Sequence, residues 1–248
     1  MGIEYQAEDE LFGHKASRAN RFYFDMENNG AYLRQMESYH LDLQEYKKVK
    51  RHMFGGFQLM QNLEVPQILE RFKVMSANWG EIKREGGVIH TEFASFQKPE
   101  VFELFVEHVL RQSDSVGMNE QELATLLNFW EGRRDVGAAQ NSKPSLAEIL
   151  SQTAAFFELQ HSHGLDVSRL HLHPYGSFIL CYDPAKWHSG VHSLAKSAVT
   201  TLEYCLQEEH ILDKIDNFWV SDYPATIHVP NAHNQVIHTN KEQLRYSF

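Results

Sequence analysis

The sequence predicts an α/β protein: a single domain over residues 1–248, with three layers in which helices cover both faces of a mostly parallel sheet. Strand-like segments alternate with amphipathic helical segments along the chain, which is the pattern of βαβ units. Fewer than eight such units are visible, so a closed barrel is not expected. The residues are 42% hydrophobic and 12% aromatic, which is ample for a buried core.

Aromatic clustering and helical spacing predict the first elements. Residues 20–25 are rich in aromatic side chains and precede the turn-forming Asn28-Asn29-Gly30, so they predict a strand. Residues 31–46 predict a helix. Residues 49–60 contain a strand that ends at paired glycines, where the backbone can closely approach a ligand or a neighbouring helix. The apolar face of the next helix is formed by Ile68, Leu69, Phe72 and Met75.

Two further strand–helix units follow. Residues 87–94 predict a strand, and Pro99 takes the first position of the next helix. Residues 113–118 predict another short strand, and a polar loop is expected over residues 132–143. The helix between them presents one apolar face, formed by Leu123, Leu126, Leu127 and Trp130.

The C-terminal third continues the alternation. A Ser-x-x-Glu capping box opens a helix over residues 145–160. Residues 169–182 predict a strand, a turn and a second strand. Residues 191–205 predict a long amphipathic helix, and strands with loops are expected from Asn217 onward.

Charge and cysteine content exclude several classes of protein. The net charge of −10, from 23 basic and 33 acidic residues, disfavours a nucleic-acid partner. The first residues are acidic where a signal peptide would be basic, and no apolar run approaches the roughly 20 residues of a membrane helix. The two cysteines, Cys181 and Cys205, exclude a disulfide framework and a four-cysteine zinc site, although they could form one bridge.

Asn119 and Glu122 have two compatible interpretations. Their spacing is that of a capping box, with Asn119 as the N-cap and Glu122 in the first turn. A helix N-terminus also attracts phosphate, and a carboxylate within the first turn can hold Mg²⁺ through its water shell. The same residues therefore predict a cap and a candidate magnesium site.

His90 and Glu92 are expected on one face of a strand, while Ile89, Thr91 and Phe93 point to the other face. A salt-bridged strand residue is the simpler interpretation of Glu92. The functional interpretation places Glu92 at the carboxyl end of its strand, where α/β sheets bind ligands. Glu92 and Glu122 would then face one cation from two consecutive βα units.

Two weaker signals remain. His171 and His173 form a His-x-His pair of the kind found in some zinc hydrolases, although two strand histidines in or near the core are the simpler interpretation. Arg21 could clamp a phosphate through parallel hydrogen bonds, or it could be an ordinary surface arginine. No Gly-x-Ser-x-Gly elbow, Walker loop or dinucleotide-binding glycine loop occurs.

Five segments in a fixed order resemble the ADP-dependent glucokinases, particularly the animal branch. Each segment alone is weak, but their order over almost the whole chain is specific. They are Glu4-Tyr5-Gln6, Ala19-Asn20-Arg21-Phe22, His90-Thr91-Glu92-Phe93-Ala94-Ser95, Gly117-Met118-Asn119-Glu120-Gln121-Glu122-Leu123 and Arg169-Leu170-His171-Leu172-His173.

The resemblance implies a ribokinase-like fold, here part of its large domain. It implies a monomer that transfers the β-phosphoryl group of ADP to glucose with Mg²⁺, giving glucose 6-phosphate and AMP. Glu92 and Glu122 carry over as metal residues, with Asn119 and His90 in support, and Arg21 as a contact to the nucleotide phosphate. Animal members of the family suggest the endoplasmic reticulum or secretory route, although the chain itself gives no location.

The chain departs from the family pattern at the catalytic turn. Members of the family carry a general-base aspartate in a Gly-x-Gly-Asp turn, and the 248 residues contain no such turn. We therefore expect a partial domain that is inactive alone and assign no catalytic residue within it. The alternatives are a non-catalytic binding or regulatory protein that keeps the scaffold, or a zinc hydrolase that uses His171 and His173.

Overall fold

The computed structural model describes residues 2–5, 9–11, 13–15, 20–23, 33, 49–134, 144–174, 178–188, 196–197, 200 and 204. The predicted helices over 31–46 and 191–205 fall outside these residues, apart from isolated positions. The predicted strands and loops from Asn217 also lie outside them. No helix in the described part of the chain is long and apolar enough to cross a membrane.

A five-stranded sheet forms the centre of the fold. Its strands are β5 (Arg51–Phe54), β6 (Val88–Glu92), β7 (Ser115–Met118), β8 (Arg169–Leu172) and β9 (Ile179–Tyr182). They lie in the order β5-β6-β7-β8-β9; the first four are parallel and β9 runs antiparallel to β8. This arrangement confirms the predicted α/β class with a mostly parallel sheet.

Two small antiparallel sheets lie N-terminal to these strands in the chain. β1 (Gly2–Tyr5) pairs with β4 (Asn20–Tyr23), and β2 (Glu10–Leu11) pairs with β3 (His14–Lys15). The strand predicted over residues 20–25 is therefore present at its start. Its partner β1 was not predicted, because a segment of only four residues carries little strand signal.

Four helices connect or follow the parallel strands, and each begins at a recognisable signal. The helices are α1 (Val65–Arg84), α2 (Pro99–His108), α3 (Glu120–Trp130) and α4 (Leu146–Leu159). Pro66 lies in the first turn of α1 and Pro99 in the first turn of α2, where a missing backbone N–H is tolerated. Asn119 caps α3 and Ser145 caps α4.

The described helices cover one face of the sheet. Residues paired in register point to the same face, and the row Thr91, Val116 and Leu170 is fully buried. Val116 and Leu170 belong to the same hydrophobic core as the apolar faces of all four helices. Right-handed crossovers in one direction, from β5 to β8, also place connecting helices on a single face. The second helical layer of the prediction is not tested by the described residues.

The opposite face of the sheet is polar. The adjacent row on that face contains His90, Ser115 and Arg169, side by side on β6, β7 and β8. Glu92 follows His90 on the same face, as the period-two pattern predicts. The sheet thus separates a hydrophobic core on one side from a row of hydrogen-bonding groups on the other.

Packed phenylalanines fix the segment that follows β6. Phe93 and Phe96 are buried, and their rings contact Phe102 and Phe105 of α2 at centroid distances of 4.9 to 5.8 Å. These contacts lie directly beyond Glu92. The carboxyl end of β6 is therefore anchored to the core immediately after its acidic residue.

Candidate functional site

The N-terminus of α3 is closed by a reciprocal cap. Asn119 Oδ1 accepts hydrogen bonds from the backbone N–H groups of Gln121 and Glu122, at 2.9 and 2.8 Å. Glu122 Oε2 accepts the Asn119 backbone N–H at 3.0 Å, and Ser95 Oγ donates to Oε1 at 3.5 Å. The capping interpretation of the Asn-x-x-Glu motif is confirmed, and Glu122 is only 9% exposed.

Glu92 lies at the carboxyl end of β6 and is held by two histidines. His173 Nε2 donates to Glu92 Oε1 at 2.8 Å, and His90 Nε2 lies 3.5 Å from Glu92 Oε2. Each carboxylate oxygen therefore has its own imidazole partner. His90 is on the same strand as Glu92, whereas His173 directly follows β8, two strands away.

Gly117 on the intervening strand makes room for this contact. It is in register with Glu92 on β6 and with His171 on β8. A Cβ at Gly117 would overlap Glu92 Oε2, and it would lie 3.0 Å from Glu92 Cδ and 3.1 Å from His90 Nε2. The Glu92 side chain thus lies over a glycine to reach His173.

A chain of hydrogen bonds continues from His90 across the polar face. Arg169 Nε donates to Ser115 Oγ at 2.8 Å, and Ser115 Oγ lies 2.8 Å from His90 Nδ1. Since His90 Nε2 faces a carboxylate, we assign its proton to Nε2, so that Nδ1 accepts from Ser115. The Arg169 guanidinium also stacks on Trp187, 4.3 Å from the ring centroid. These contacts fix the histidine that flanks Glu92.

The two carboxylates have opposite pKa shifts. Burial opposes the ionisation of Glu92, but the hydrogen bonds from His173 and His90 outweigh it and lower its pKa to about 2. Burial raises the pKa of Glu122 above its ordinary value, and the nearby charge of Glu92 acts in the same direction. The hydrogen bond to Glu92 in turn raises the pKa of His173. Glu92, Glu122 and His173 are therefore electrostatically coupled in one site.

Four of the five predicted site residues converge here. Glu92 and Glu122 interact electrostatically, while His90 and Asn119 each contact one of them. Arg21 lies on β4 in a separate two-stranded sheet, in register with Glu4. The functional roles of all five residues remain predictions.

The donor set is compatible with Mg²⁺. No three histidine, cysteine, aspartate or glutamate side chains within the described ranges are grouped so that they could hold a metal together. Mg²⁺, however, commonly takes only one or two protein carboxylates and completes its shell with water and substrate phosphate. A cation beside Glu122 would also offset the burial that disfavours its charge. Glu92 and Glu122 therefore fit this mode of binding.

The sequence left several contributors to the site unassigned, among them His173, Ser95 and Ser115. His173 appeared only as half of a weak zinc motif, and Ser95 and Ser115 had no assigned role. A glycine near the end of β7 is the signal that could have linked them, because it lies between β6, which ends at Glu92, and β8, which His173 directly follows. Using that signal requires the strand order, which the sequence alone does not give.

Comparisons with known proteins identify the family of the chain. A family model described as the ADP-specific phosphofructokinase/glucokinase conserved region matches residues 2–246. The chain is 26% identical over 218 residues to a curated ADP-dependent glucokinase of Bos taurus, a match that covers 83% of this chain and 42% of that protein.

Partial structural similarity is found to an ADP-dependent kinase in complex with fructose-6-phosphate and ADPβS, with a TM-score of 0.47 and 18% identity, covering 72% of this chain and 39% of that one. A phosphofructokinase of Pyrococcus horikoshii OT3 with AMP gives a TM-score of 0.42 and 18% identity, with coverages of 69% and 39%. The chain spans about two fifths of the length of these relatives. The family match covers nearly every residue, and the chain belongs to the ADP-specific phosphofructokinase/glucokinase family.

Proposed function

We propose that this chain supplies the metal and phosphate site of an ADP-dependent sugar kinase. The reaction is transfer of the β-phosphoryl group of ADP to glucose, giving glucose 6-phosphate and AMP. One observation supports this most directly: the Glu92 carboxylate, at the carboxyl end of β6, interacts electrostatically with the Glu122 carboxyl in the first turn of α3.

Glu92 and Glu122 would hold Mg²⁺ in this reaction. When bound, the ion neutralises charge on the phosphoryl group and orients it for transfer. His173 and His90 hold the Glu92 carboxylate in its ionised form, as its low pKa requires. The N-terminus of α3 directs its positive dipole end toward the same region and favours a phosphate there.

Arg21 is proposed as a second contact to the nucleotide phosphate. Its guanidinium can make two parallel hydrogen bonds to phosphate oxygens, which a lysine cannot reproduce. An Arg21→Lys variant is therefore expected to weaken ADP binding, which can be measured by calorimetry. Unchanged affinity would remove Arg21 from the site.

Glucose is the sugar we propose, because the curated bovine relative bears the name ADP-dependent glucokinase. The family description covers phosphofructokinases as well as glucokinases. Calorimetric titration with glucose and with fructose 6-phosphate, each in the presence of AMP and Mg²⁺, distinguishes the two. Binding of fructose 6-phosphate alone would contradict the choice of glucose.

This 248-residue chain is expected to bind nucleotide without turning it over. Its 248 residues contain no Gly-x-Gly-Asp turn. Loss of a positioned general base lowers the rate on the order of 10²- to 10⁴-fold. Removal of one hydrogen-bond donor from an anion hole lowers it on the order of a further 10²- to 10³-fold. With Mn²⁺ as a probe in place of Mg²⁺, we expect ADP binding that depends on the metal. We expect no AMP or glucose 6-phosphate above background.

Two measurements test the expected inactivity and the proposed metal site independently of each other. Rapid AMP formation by the purified chain would refute the expected inactivity and leave the kinase function standing. Unchanged Mn²⁺-dependent ADP binding in Glu92→Gln and Glu122→Gln variants would refute the proposed site. The two measurements use the same protein preparation.

Two alternatives remain open. A non-catalytic binding or regulatory protein would bind ADP through the same carboxylates and would stay inactive even when joined to a segment that carries a Gly-x-Gly-Asp turn. A zinc hydrolase would need His171 and His173, and metal analysis would detect stoichiometric zinc that is lost when they are replaced. His173 Nε2 contacts Glu92, and His171 stacks on Phe178.

A further inference from the structure

The Glu92–His173 contact joins elements that are distant in the sequence. The two residues are 81 positions apart and lie on either side of β7. The contact exists because the residue between them, Gly117, has no side chain that would block it. The three nearest atoms that a Cβ at Gly117 would meet belong to the side chains of Glu92 and His90, so the backbone pairing of the sheet does not itself require a glycine here.

The contact is poorly explained as a device for stability. The Glu92 and His173 side chains are 43% and 35% exposed, and ion pairs at such exposure contribute little to folding. A glycine within a strand also weakens the strand. What the contact does achieve is orientation, because Glu92 Oε1 is fixed by His173 and Oε2 faces His90.

We propose that His173 is a positioning residue for the carboxylate of Glu92, and that Gly117, which has no side chain, leaves the space in which the side chains of Glu92 and His173 meet. The inference rests on the proposed function, in which Glu92 holds the divalent cation. His173 acts through Glu92 and does not itself contact the metal or the nucleotide. Residues that orient metal-bound carboxylates typically change metal affinity 10- to 100-fold when they are removed.

The test measures Mn²⁺ binding in the presence of ADP by electron paramagnetic resonance. We expect His173→Ala to weaken Mn²⁺ binding by about 10- to 100-fold. His173→Gln should restore most of the affinity, because its amide N–H can replace the imidazole Nε2 donor. Binding of ADP in excess chelator should not change in either variant.

A double-mutant cycle separates positioning from general damage. In a Glu92→Gln background, His173→Ala should have no further effect, since it acts only through the carboxylate. The matched control is His161→Ala, which removes an imidazole bonded to the Leu165 carbonyl at 3.1 Å, outside the site. It should leave Mn²⁺ binding unchanged.

Gly117→Ala tests whether the contact needs a residue without a side chain at position 117. The added methyl would displace Glu92, and we expect a loss of Mn²⁺ affinity similar to that of His173→Ala. Circular dichroism establishes whether the variant folds. If it does not fold, the His173 and Glu92 cycle decides the proposal alone.

The outcomes distinguish this inference from the function on which it rests. If Glu92→Gln loses Mn²⁺ binding and His173→Ala keeps it, the positioning role is wrong and the kinase site stands. If His173→Ala weakens ADP binding equally with and without metal, His173 contacts the nucleotide directly and the inference fails. If the wild-type chain binds no Mn²⁺ with ADP, or Glu92→Gln binds it normally, both proposals fail.

Discussion

The helices α3 and α4 begin with the same motif in very different surroundings. Asn119 and Glu122 form a reciprocal cap on α3, and Ser145 and Glu148 form the equivalent cap on α4. In each pair, the glutamate accepts the backbone N–H of the cap residue, at 3.0 Å in α3 and 2.6 Å in α4. As local structure, the two helix starts are nearly identical.

The two glutamates differ in charge behaviour. Glu148 is exposed, and its bonds from the Ser145 backbone and side chain lower its pKa. Glu122 is buried, and burial raises its pKa despite the equivalent bond from Asn119. The same hydrogen-bonding motif thus favours the ionised form in both helices, but in α3 burial outweighs it.

The difference supports the proposal that the α3 cap is also part of a cation site. A cap needs only an acceptor for the backbone N–H, and the exposed Glu148 provides one without a burial penalty. Placing the glutamate in a buried site next to Glu92 adds an unfavourable charge interaction. Such an arrangement is typical of a site that binds a cation.

Removal of the charge should separate the two caps most clearly. We expect Glu122→Gln to weaken Mn²⁺ binding in the presence of ADP by on the order of 100-fold, because even residues outside the first coordination sphere contribute 10- to 100-fold. Glu148→Gln should leave that affinity unchanged. Both can be measured by calorimetric titration of Mn²⁺ into the ADP-saturated chain.

The same Glu→Gln substitution at both positions makes the effects of Glu122 and Glu148 directly comparable. Gln keeps an oxygen that can accept the cap residue's N–H in both helices, so circular dichroism should detect no loss of helix. Equal losses of Mn²⁺ affinity in the two variants would mean that α3 holds only another structural cap.

Removal of the cap residues should have a smaller effect, on stability. Asn119 accepts two backbone N–H groups at 2.9 and 2.8 Å, whereas Ser145 accepts one at 3.3 Å. We expect Asn119→Ala to lower the free energy of unfolding by about 2 kcal/mol and Ser145→Ala by about 0.5 to 1 kcal/mol. Urea denaturation measures both, and a larger loss for Ser145→Ala would contradict this ranking.

Local patterns predicted much of the fold and half of the site. The capping boxes at Asn119 and Ser145 and the alternating faces of β6 involve residues a few positions apart, so their geometry follows from helix and strand periodicity. The α/β class followed from the same periodicities.

Long-range contacts could not be predicted in the same way. The bond between His173 and Glu92 depends on β7 lying between β6 and β8 and on Gly117 standing at the point of contact. The pairing of β1 with β4 likewise joins two segments that are separated in the sequence. Burial of Glu122 follows from helix packing, which sequence spacing does not specify.

The pH dependence of stability should have opposite signs for the two caps. The folded-state pKa of Glu148 lies below 4.5, so its stabilising contribution is present above that value and is lost as the pH falls. The folded-state pKa of Glu122 lies above 4.5, so its contribution is most favourable at low pH and decreases as the pH rises. Glu92, with a pKa of about 2, stays ionised above about pH 4.

Urea denaturation of the wild type and the two Gln variants, in chelator between about pH 4 and pH 7, gives the contribution of each carboxyl by difference. The stability of the wild type relative to Glu148→Gln should shrink as the solution is acidified. Its stability relative to Glu122→Gln should grow over the same range, because the protonated Glu122 no longer opposes burial or the charge of Glu92. Slopes of the same sign would mean that burial does not distinguish the two caps, and the argument for a cation at Glu122 would lose its electrostatic basis.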